Sequence, residues 1–363
     1  MHNTSASFSL VIPTYNERDN IREALAGVHR SVEPLGYLYE VIIVDDDSPD
    51  PTWQVAAGYP ASYPVRVVRR NGKKGLATAV LEGIKASNCE IVVIMGAGLR
   101  HPPEIIPRLI AEIRDGKDVV VGSRFAQSGD SKQSSLFGRT ARDTDLLART
   151  LFRQIRAIKD LQSGFFAIRK DVVAHANLNP VGNRILLEIL VQGAYTTVSE
   201  IPDWVEKRKA GTNKPEVKNA LDYIRHLCSL FRRSGELHRF LKFCAVGVVG
   251  AGVNLAVLFA LTEAGLFYLL SGLIGIEAAI LSNFVLNRSW TFKDRGTLEF
   301  RSILTALYRD HAVRSVGIVL NLVILWLLTS VFGFYYILSQ VIGIGIAMLW
   351  NYSGNQWWTW EPV

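Results

Sequence analysis

Over its first 235 residues the chain alternates short apolar runs with amphipathic stretches. Phe8–Pro13 reads as a buried strand, and Glu17–Arg30 follows with the spacing of a helix. Tyr39–Val44 and Val65–Val68 read as strands, Leu76–Ser87 as a helix and Glu90–Met95 as a strand. Ile105–Arg114 is helical behind the breaker Pro102–Pro103, and Asp118–Gly122 is a further strand. Strands that alternate with helices predict a mostly parallel α/β sheet covered on both faces. Ligands of such sheets sit outside the carboxyl ends of the strands. Those ends here read "PTYNE", "DDDSPD", "RRNGKKG" and "GAGLRHPPE".

Beyond residue 238 the pattern becomes strongly apolar, and an all-α domain of four transmembrane helices is expected over 239–363. Its spans are Phe240–Leu261, Leu266–Leu286, Val313–Phe332 and a last one from Tyr335 to Trp350, or to 356 if it continues. Trp357, Trp358 and Trp360 suit an interfacial anchor. Glu206–Lys242 holds ten Lys/Arg against four Asp/Glu, and Arg288–Arg314 holds six against three, whereas the two short connections hold no Lys or Arg. By the positive-inside rule the charged segments and both termini face the cytosol. The first residues lack a basic stretch followed by an apolar core, so no signal peptide is expected. Glu277 falls near the middle of the second span, a costly place for an ionisable group without a partner. Glycines 247, 250, 252, 272 and 275 suit close helix packing. Residues 216–238, basic and amphipathic, form an interface segment after an α/β domain of 1–215.

The net charge of +7 is compatible with nucleic acid, anionic lipid or phosphorylated ligands. No nucleic-acid motif accompanies it, and the spans favour lipid and phosphate. Three scattered cysteines argue against a disulfide framework or a zinc site.

Asp45, Asp46, Asp47 and Asp50 crowd one turn, and such carboxylates need donors, either a nucleoside or the protein itself, with Asp50 capping the next helix. Arg69, Arg70, Lys73 and Lys74, with Gly72 and Gly75, suit a diphosphate or a basic surface turn.

The stretches "SLVIPTYNERDNI", "VIIVDDDSPDPT", "KKGLATAVLEGIKAS", "HPPEIIPRLI", "VVVGSRF", "LQSGFFAIRKDV", "RILLEIL" and "EIPDWVEKRKAGTNK" together resemble dolichol-phosphate mannose synthases, inverting family 2 glycosyltransferases with the Rossmann-like GT-A fold. "RFLKFCAVGVVGAGVNLAVLF" and "LSNFVLNRSWTF" resemble the GtrA-like membrane domain fused to some of them. The resemblance implies transfer of a sugar, mannose from GDP-mannose above all, to a polyprenyl or dolichyl phosphate at the membrane surface. Glucose from UDP-glucose is the neighbouring alternative, and a non-catalytic scaffold binding nucleotide or lipid phosphate is a third. It also implies roles. Pro13, Tyr15, Glu17, Asp45 and Asp46 would hold the nucleoside, and Lys74 and Gly75 would lie near the donor. Gln162, Ser163 and Gly164 would line the sugar pocket. Ser123, Arg124 and Lys214 would meet the acceptor phosphate, with Arg124, Arg208 and Lys209 as the catalytic cations.

One block departs from the pattern. The family carries an acidic-any-acidic triplet followed by Leu-Gln before "HPPE", which holds Mg²⁺ or Mn²⁺ on the donor diphosphate. This chain has Gly96, Ala97, Gly98, Leu99 and Arg100 there. Three readings follow: turnover is lost or impaired, Arg100 stands in for the metal, or another carboxylate such as Asp47 holds it weakly. His101 is expected to be structural.

Overall fold

A computed structural model describes residues 7–72, 75–126, 145–180, 182, 184–203, 216–295 and 300–360. The chain divides into two compact units, Met1–Leu230 and Phe231–Val363.

The first unit is built on one seven-stranded sheet. Its strands are β1 (Ser7–Thr14), β2 (Leu38–Asp45), β3 (Val65–Arg69), β4 (Ile91–Ile94), β5 (Val119–Ser123), β6 (Phe166–Arg169) and β7 (Val198–Pro202). They lie in the order β3-β2-β1-β4-β6-β5-β7. Only β6 runs antiparallel to its neighbours, β4 and β5. The chain steps outward from β1 to β3 and then returns to the far side of β1 as β4. That reversal makes the carboxyl ends of β1 and β4 a natural crevice. The first five strands fall where the apolar runs predict them. The short β6 and the half-buried edge strand β7 carry no comparable pattern.

The helices are α1 (Arg18–Val32), α2 (Thr52–Ala57), α3 (Leu76–Ala86), α4 (Ile106–Arg114) and α5 (Ile185–Gln192). Phe8, Leu10 and Ile12 of β1 pack with Ile21, Leu25 and Val28 of α1 and with Ile106, Leu109 and Ile110 of α4. Alternate residues of β1 face the other way, so Val11 meets α3. The approach there is close enough that a Cβ at Gly83 would sit 2.2 Å from Val11 Cγ1.

Helix α6 (Glu216–Arg233) carries buried Tyr223, His226, Leu227 and Leu230. Arg184 lies 4.7 Å over the Tyr223 ring, and His226 Nε2 stands 3.3 Å from Glu188 Oε2. These contacts place 216–230, expected as a separate interface segment, with the α/β unit.

The second unit holds α7 (Glu236–Glu263), α8 (Tyr268–Leu286), α9 (Phe300–Trp326) and α10 (Tyr336–Gly354). Helix α7 packs mainly on α8, and α9 on α10, giving two hairpins. Among the described residues three helical segments are long and apolar enough to cross a membrane: Glu236–Glu263, Tyr268–Thr291 and Arg301–Val331. The expected fourth span coincides with α10, which Gln340, Asn351 and Ser353 make less apolar. The third begins well before the expected Val313.

The hairpins repeat one another. "GLIGIEAAILSNFVLNRSWTF" ends the first and "QVIGIGIAMLWNYSGNQWWTW" the second. Each has reciprocal glycine–asparagine seams. A Cβ at Gly250 would sit 2.3 Å from the Asn283 amide, and one at Gly275 2.5 Å from Asn254 Oδ1. In the second hairpin Gly317 stands against Asn351 and Gly343 against Asn321 in the same way. Close packing is therefore the work of Gly250 and Gly275. Gly247 and Gly252 face open space, and Gly272 only touches Leu258. Glu277 finds its partner in His311 of α9, whose Nε2 stands 3.1 Å away.

Candidate active site

The carboxyl edge of the sheet gathers the predicted loops. Among the described residues the three non-glycines with positive φ, Asn16, Asp47 and Leu99, all lie there, at +57°, +59° and +51°. Strain of this kind concentrates at functional sites.

The acidic turn after β2 is organised from within. Asp45 is fully buried; it accepts bonds from the Ser48 amide at 2.9 Å, the Ser48 hydroxyl at 2.6 Å and the Thr14 hydroxyl at 3.1 Å. Asp46 pairs with Arg70 at 3.0 Å and accepts the Gly75 amide at 2.7 Å. Asp47 accepts Arg69 at 3.1 Å and the Gly72 amide at 3.2 Å. Asp50 accepts the Thr52 amide at 3.0 Å at the head of α2. The crowded carboxylates are thus satisfied by protein donors. Arg69 and Arg70, read from sequence as suited to a diphosphate or to a basic surface turn, are drawn into that network. Arg70 is buried and also donates to Thr78 Oγ1 at 2.8 Å, while Arg69 lies 4.9 Å from the Trp53 ring. Gly75 needs its positive φ of +100° to turn its amide toward Asp46 as it opens α3.

The loop after β1 is stitched to this turn: Asn16 N donates to Ser48 Oγ and Glu17 N to Thr52 Oγ1, each at 3.0 Å. Pro13 is buried in β1, and Tyr15 and Glu17 are half-buried beyond it. Asn20 donates to Glu17 Oε2 at 2.7 Å. A Cβ at Gly98 would lie 3.7 Å from Glu17 Oε1, so the β1 and β4 loops face each other across the crevice.

On the other side of β4, the Arg124 guanidinium closes on Asp160 with two bonds of 2.7 Å, and the Arg124 amide donates to the same carboxylate at 3.1 Å. This bidentate ion pair holds the guanidinium charged. Ser123 and Ser163 are buried. Ser163 Oγ donates toward the Gly122 carbonyl at 2.7 Å, and Ser123 Oγ accepts the Phe125 amide at 3.2 Å. Gln162 donates to Asp145 at 2.7 Å, and burial pushes the Asp145 carboxyl above its ordinary value. His101 Nδ1 stands 2.5 Å from buried Asp203 Oδ2, and a Cβ at Gly164 would approach His101 Nε2 to 3.9 Å. The imidazole is therefore oriented by a carboxylate and presented toward the predicted sugar-pocket residue. Asp145, Asp160 and Asp203 were not singled out in the sequence, because their partners lie 17, 36 and 102 residues away.

Lys74, Arg208, Lys209 and Lys214 lie outside the described residues. Gly96, Gly98 and Arg100 supply no side-chain oxygen ligand, and no cluster of three His, Cys, Asp or Glu side chains suited to a metal occurs among the described residues. Asp47, the substitute ligand, is committed to Arg69 and Gly72. Among the described residues, the side chains at the position of that motif therefore do not fit a divalent cation.

Sheet order, strand-end loops and membrane helices define the class. Residues 9–175 match the family described as "Glycosyl transferase family 2", and residues 242–360 match "GtrA/DPMS, transmembrane domain". The chain is a membrane-associated glycosyltransferase of GT-A fold. It is 37% identical over 353 residues to the dolichol-phosphate mannosyltransferase of Pyrococcus furiosus, covering 97% of this chain and 99% of that one. It is 29% identical to the Saccharomyces cerevisiae dolichol-phosphate mannosyltransferase, over 62% of this chain and 88% of that one. The chain belongs to the dolichol-phosphate mannosyltransferase family. Among solved structures, glucosyl-3-phosphoglycerate synthase of Mycobacterium tuberculosis, in complex with Mn²⁺, UDP-glucose and phosphoglyceric acid, is similar with a TM-score of 0.47. That match has 19% identity and covers 63% of this chain and 80% of that one.

Proposed function

We propose that this protein transfers mannose from GDP-mannose to a polyprenyl phosphate at the cytosolic membrane surface. The end-to-end 37% identity to a dolichol-phosphate mannosyltransferase carries this reading. An acceptor phosphate oxygen attacks the anomeric carbon, the carbon–oxygen bond to the diphosphate breaks, and GDP leaves with the electron pair. The acceptor is already anionic at neutral pH, so positioning and charge stabilisation outweigh a strong general base. Pro13, Tyr15 and Glu17 would bound the nucleoside, with the Asp45–Asp46 network shaping its floor. Gln162, Gly164 and the His101–Asp203 pair would face the sugar. Arg124 would meet phosphate from its anchor on Asp160. Lys74, Arg208, Lys209 and Lys214 are the remaining cations assigned to phosphate by their motifs. No step is assigned to Mg²⁺ or Mn²⁺. Arg100 is the fixed charge at the position of the lost motif, and a guanidinium can meet two diphosphate oxygens at once.

The test is transfer from GDP-mannose to polyprenyl phosphate by the full-length protein, with Mn²⁺ or with EDTA. Turnover that survives EDTA is expected, with UDP-glucose as the competing donor. A second reading, a silenced transferase, is favoured by the open space at Gly96. It predicts no turnover until Gly96→Asp, Gly98→Asp and Arg100→Gln are combined. Inactivity of both proteins with either donor would overturn the transfer reading.

A further inference from the structure

Two of the membrane-capable segments meet through an ionisable pair. Glu277 of α8 and His311 of α9 join the two hairpins, with His311 Nε2 3.1 Å from Glu277 Oε1. Both side chains keep accessible surface, 54% for Glu277 and 34% for His311. The other ring nitrogen of His311, Nδ1, stands 2.9 Å from the Leu307 carbonyl. A carbonyl oxygen only accepts, so Nδ1 carries a hydrogen. The contact at Nε2 then needs one more proton. It sits on Nε2, as imidazolium against carboxylate, or on Glu277, as a carboxyl donating to the Nε2 lone pair. With that proton the pair is neutral overall and makes both bonds. Without it the one imidazole hydrogen left serves Leu307 or Glu277, not both, and a bare carboxylate is left in apolar surroundings, which is costly.

The neighbouring stretches are free of other charges. Helix α8 has no other ionisable residue between Tyr268 and Leu286, α7 has none from Ala245 to Thr262, and α10 has none from Ile337 to Asn351. Within one turn of His311 on α9 stand Tyr308, Arg309, Asp310 and Arg314. Arg314 Nε donates to Asp310 at 2.7 Å, and Arg309 donates to the Trp358 carbonyl at 2.9 Å. The repeat shows that packing does not require the pair. Cys244 in "KFCAVG" stands where His311 stands in "RDHAVR", and Gly345 in "IGIGIA" stands where Glu277 stands in "IGIEAA". At that equivalent junction of α7 with α10, Cys244 Sγ lies 3.4 Å from Met348 Sδ, and a Cβ at Gly345 meets nothing within 4 Å. One junction thus closes on neutral groups, and the other on bonds that depend on a proton.

We propose that Glu277 and His311 form a proton-binding site that latches the two hairpins along α8 and α9 while it is occupied. The assignment does not depend on whether the catalytic edge turns over. Its test is the distance between nitroxides carried on ketone-bearing residues at the exposed positions 285 and 304 of α8 and α9, leaving the cysteines unlabelled. Double electron–electron resonance reads it on the full-length protein in phosphatidylcholine nanodiscs. An imidazole ordinarily changes charge between about pH 5 and about pH 8. The short-distance fraction is therefore expected to fall at least twofold between about pH 6 and about pH 9. In Glu277→Gln the amide donates to Nε2 without any added proton, so the short distance should persist at both pH values. His311→Leu should show the longer distance at both. If His311→Leu fails to fold, judged by thermal stability, the near-isosteric Glu277→Gln decides. A distance in the unaltered protein that does not respond to pH overturns the site. So does a Glu277→Gln protein that opens on raising the pH as the unaltered one does.

Discussion

A Cβ at Gly96 meets nothing within 4 Å, and one at Gly98 reaches only the Glu17 carboxylate at 3.7–4.0 Å. Neither glycine has positive φ, so aspartate fits both positions. Two carboxylates added beside Glu17 would repel one another unless a cation lay among them. Gly96→Asp/Gly98→Asp is therefore expected to bind Mn²⁺, seen as loss of the free-ion paramagnetic resonance signal, where the unaltered protein leaves that signal intact. At the opposite end of the sheet, Asp118 is pushed upward by burial. That effect is outweighed by amide and hydroxyl bonds from Thr196 and Thr197, at 2.8–3.1 Å, which pull its carboxyl down to about 2. A depressed carboxyl contributes stability above its ordinary value of 3.8, and that contribution fades as pH falls from about 4 toward 2. Asp118→Asn should flatten the acid limb of a stability–pH curve over that window, measured by thermal unfolding, and lower stability at pH 7.

At the level of elements, close approach rather than polarity holds the hairpins together. Gly250→Ala would force its Cβ to within 2.3 Å of the Asn283 amide. Overpacking of this kind costs about 1–3 kcal/mol. The expected outcome is a lower unfolding temperature for Gly250→Ala, while Gly252→Ala, facing open space, stays at the original value. Strands β1 to β5 were legible because each is an apolar run bounded by turn residues. β6 and β7 were not, being a four-residue antiparallel insertion and a half-buried edge. The loops at the carboxyl edge were legible as candidates for a site, but their internal hydrogen bonding was not. Arg69 with Asp47 and Arg124 with Asp160 are pairings across 22 and 36 residues, which only the sheet order brings together. The repeated "IGI" and "WT" segments of the membrane half were in plain view, yet their meaning depended on seeing each asparagine seated against a glycine.

For the whole molecule, two units with separate cores predict two unfolding transitions in detergent. A ligand that binds only the folded α/β unit raises that unit's transition by mass action and leaves the other in place. GDP is the probe: scanning calorimetry with excess GDP should move one transition upward by several degrees. Movement of both by the same amount, or a single transition, would mean that the units unfold together.

The glycine–asparagine seams have a consequence for how the protein is made. Each hairpin completes its own seams without help from the other, since Gly250 and Gly275 are filled by α8 and α7, and Gly317 and Gly343 by α10 and α9. A ribosome delivering this chain would therefore release a helical pair with its glycine–asparagine seams complete once α8 has emerged, leaving Glu277 to meet His311 when α9 follows. Insertion by pairs is the expected consequence, with the Arg314–Asp310 pair following a first hairpin whose seams are already closed.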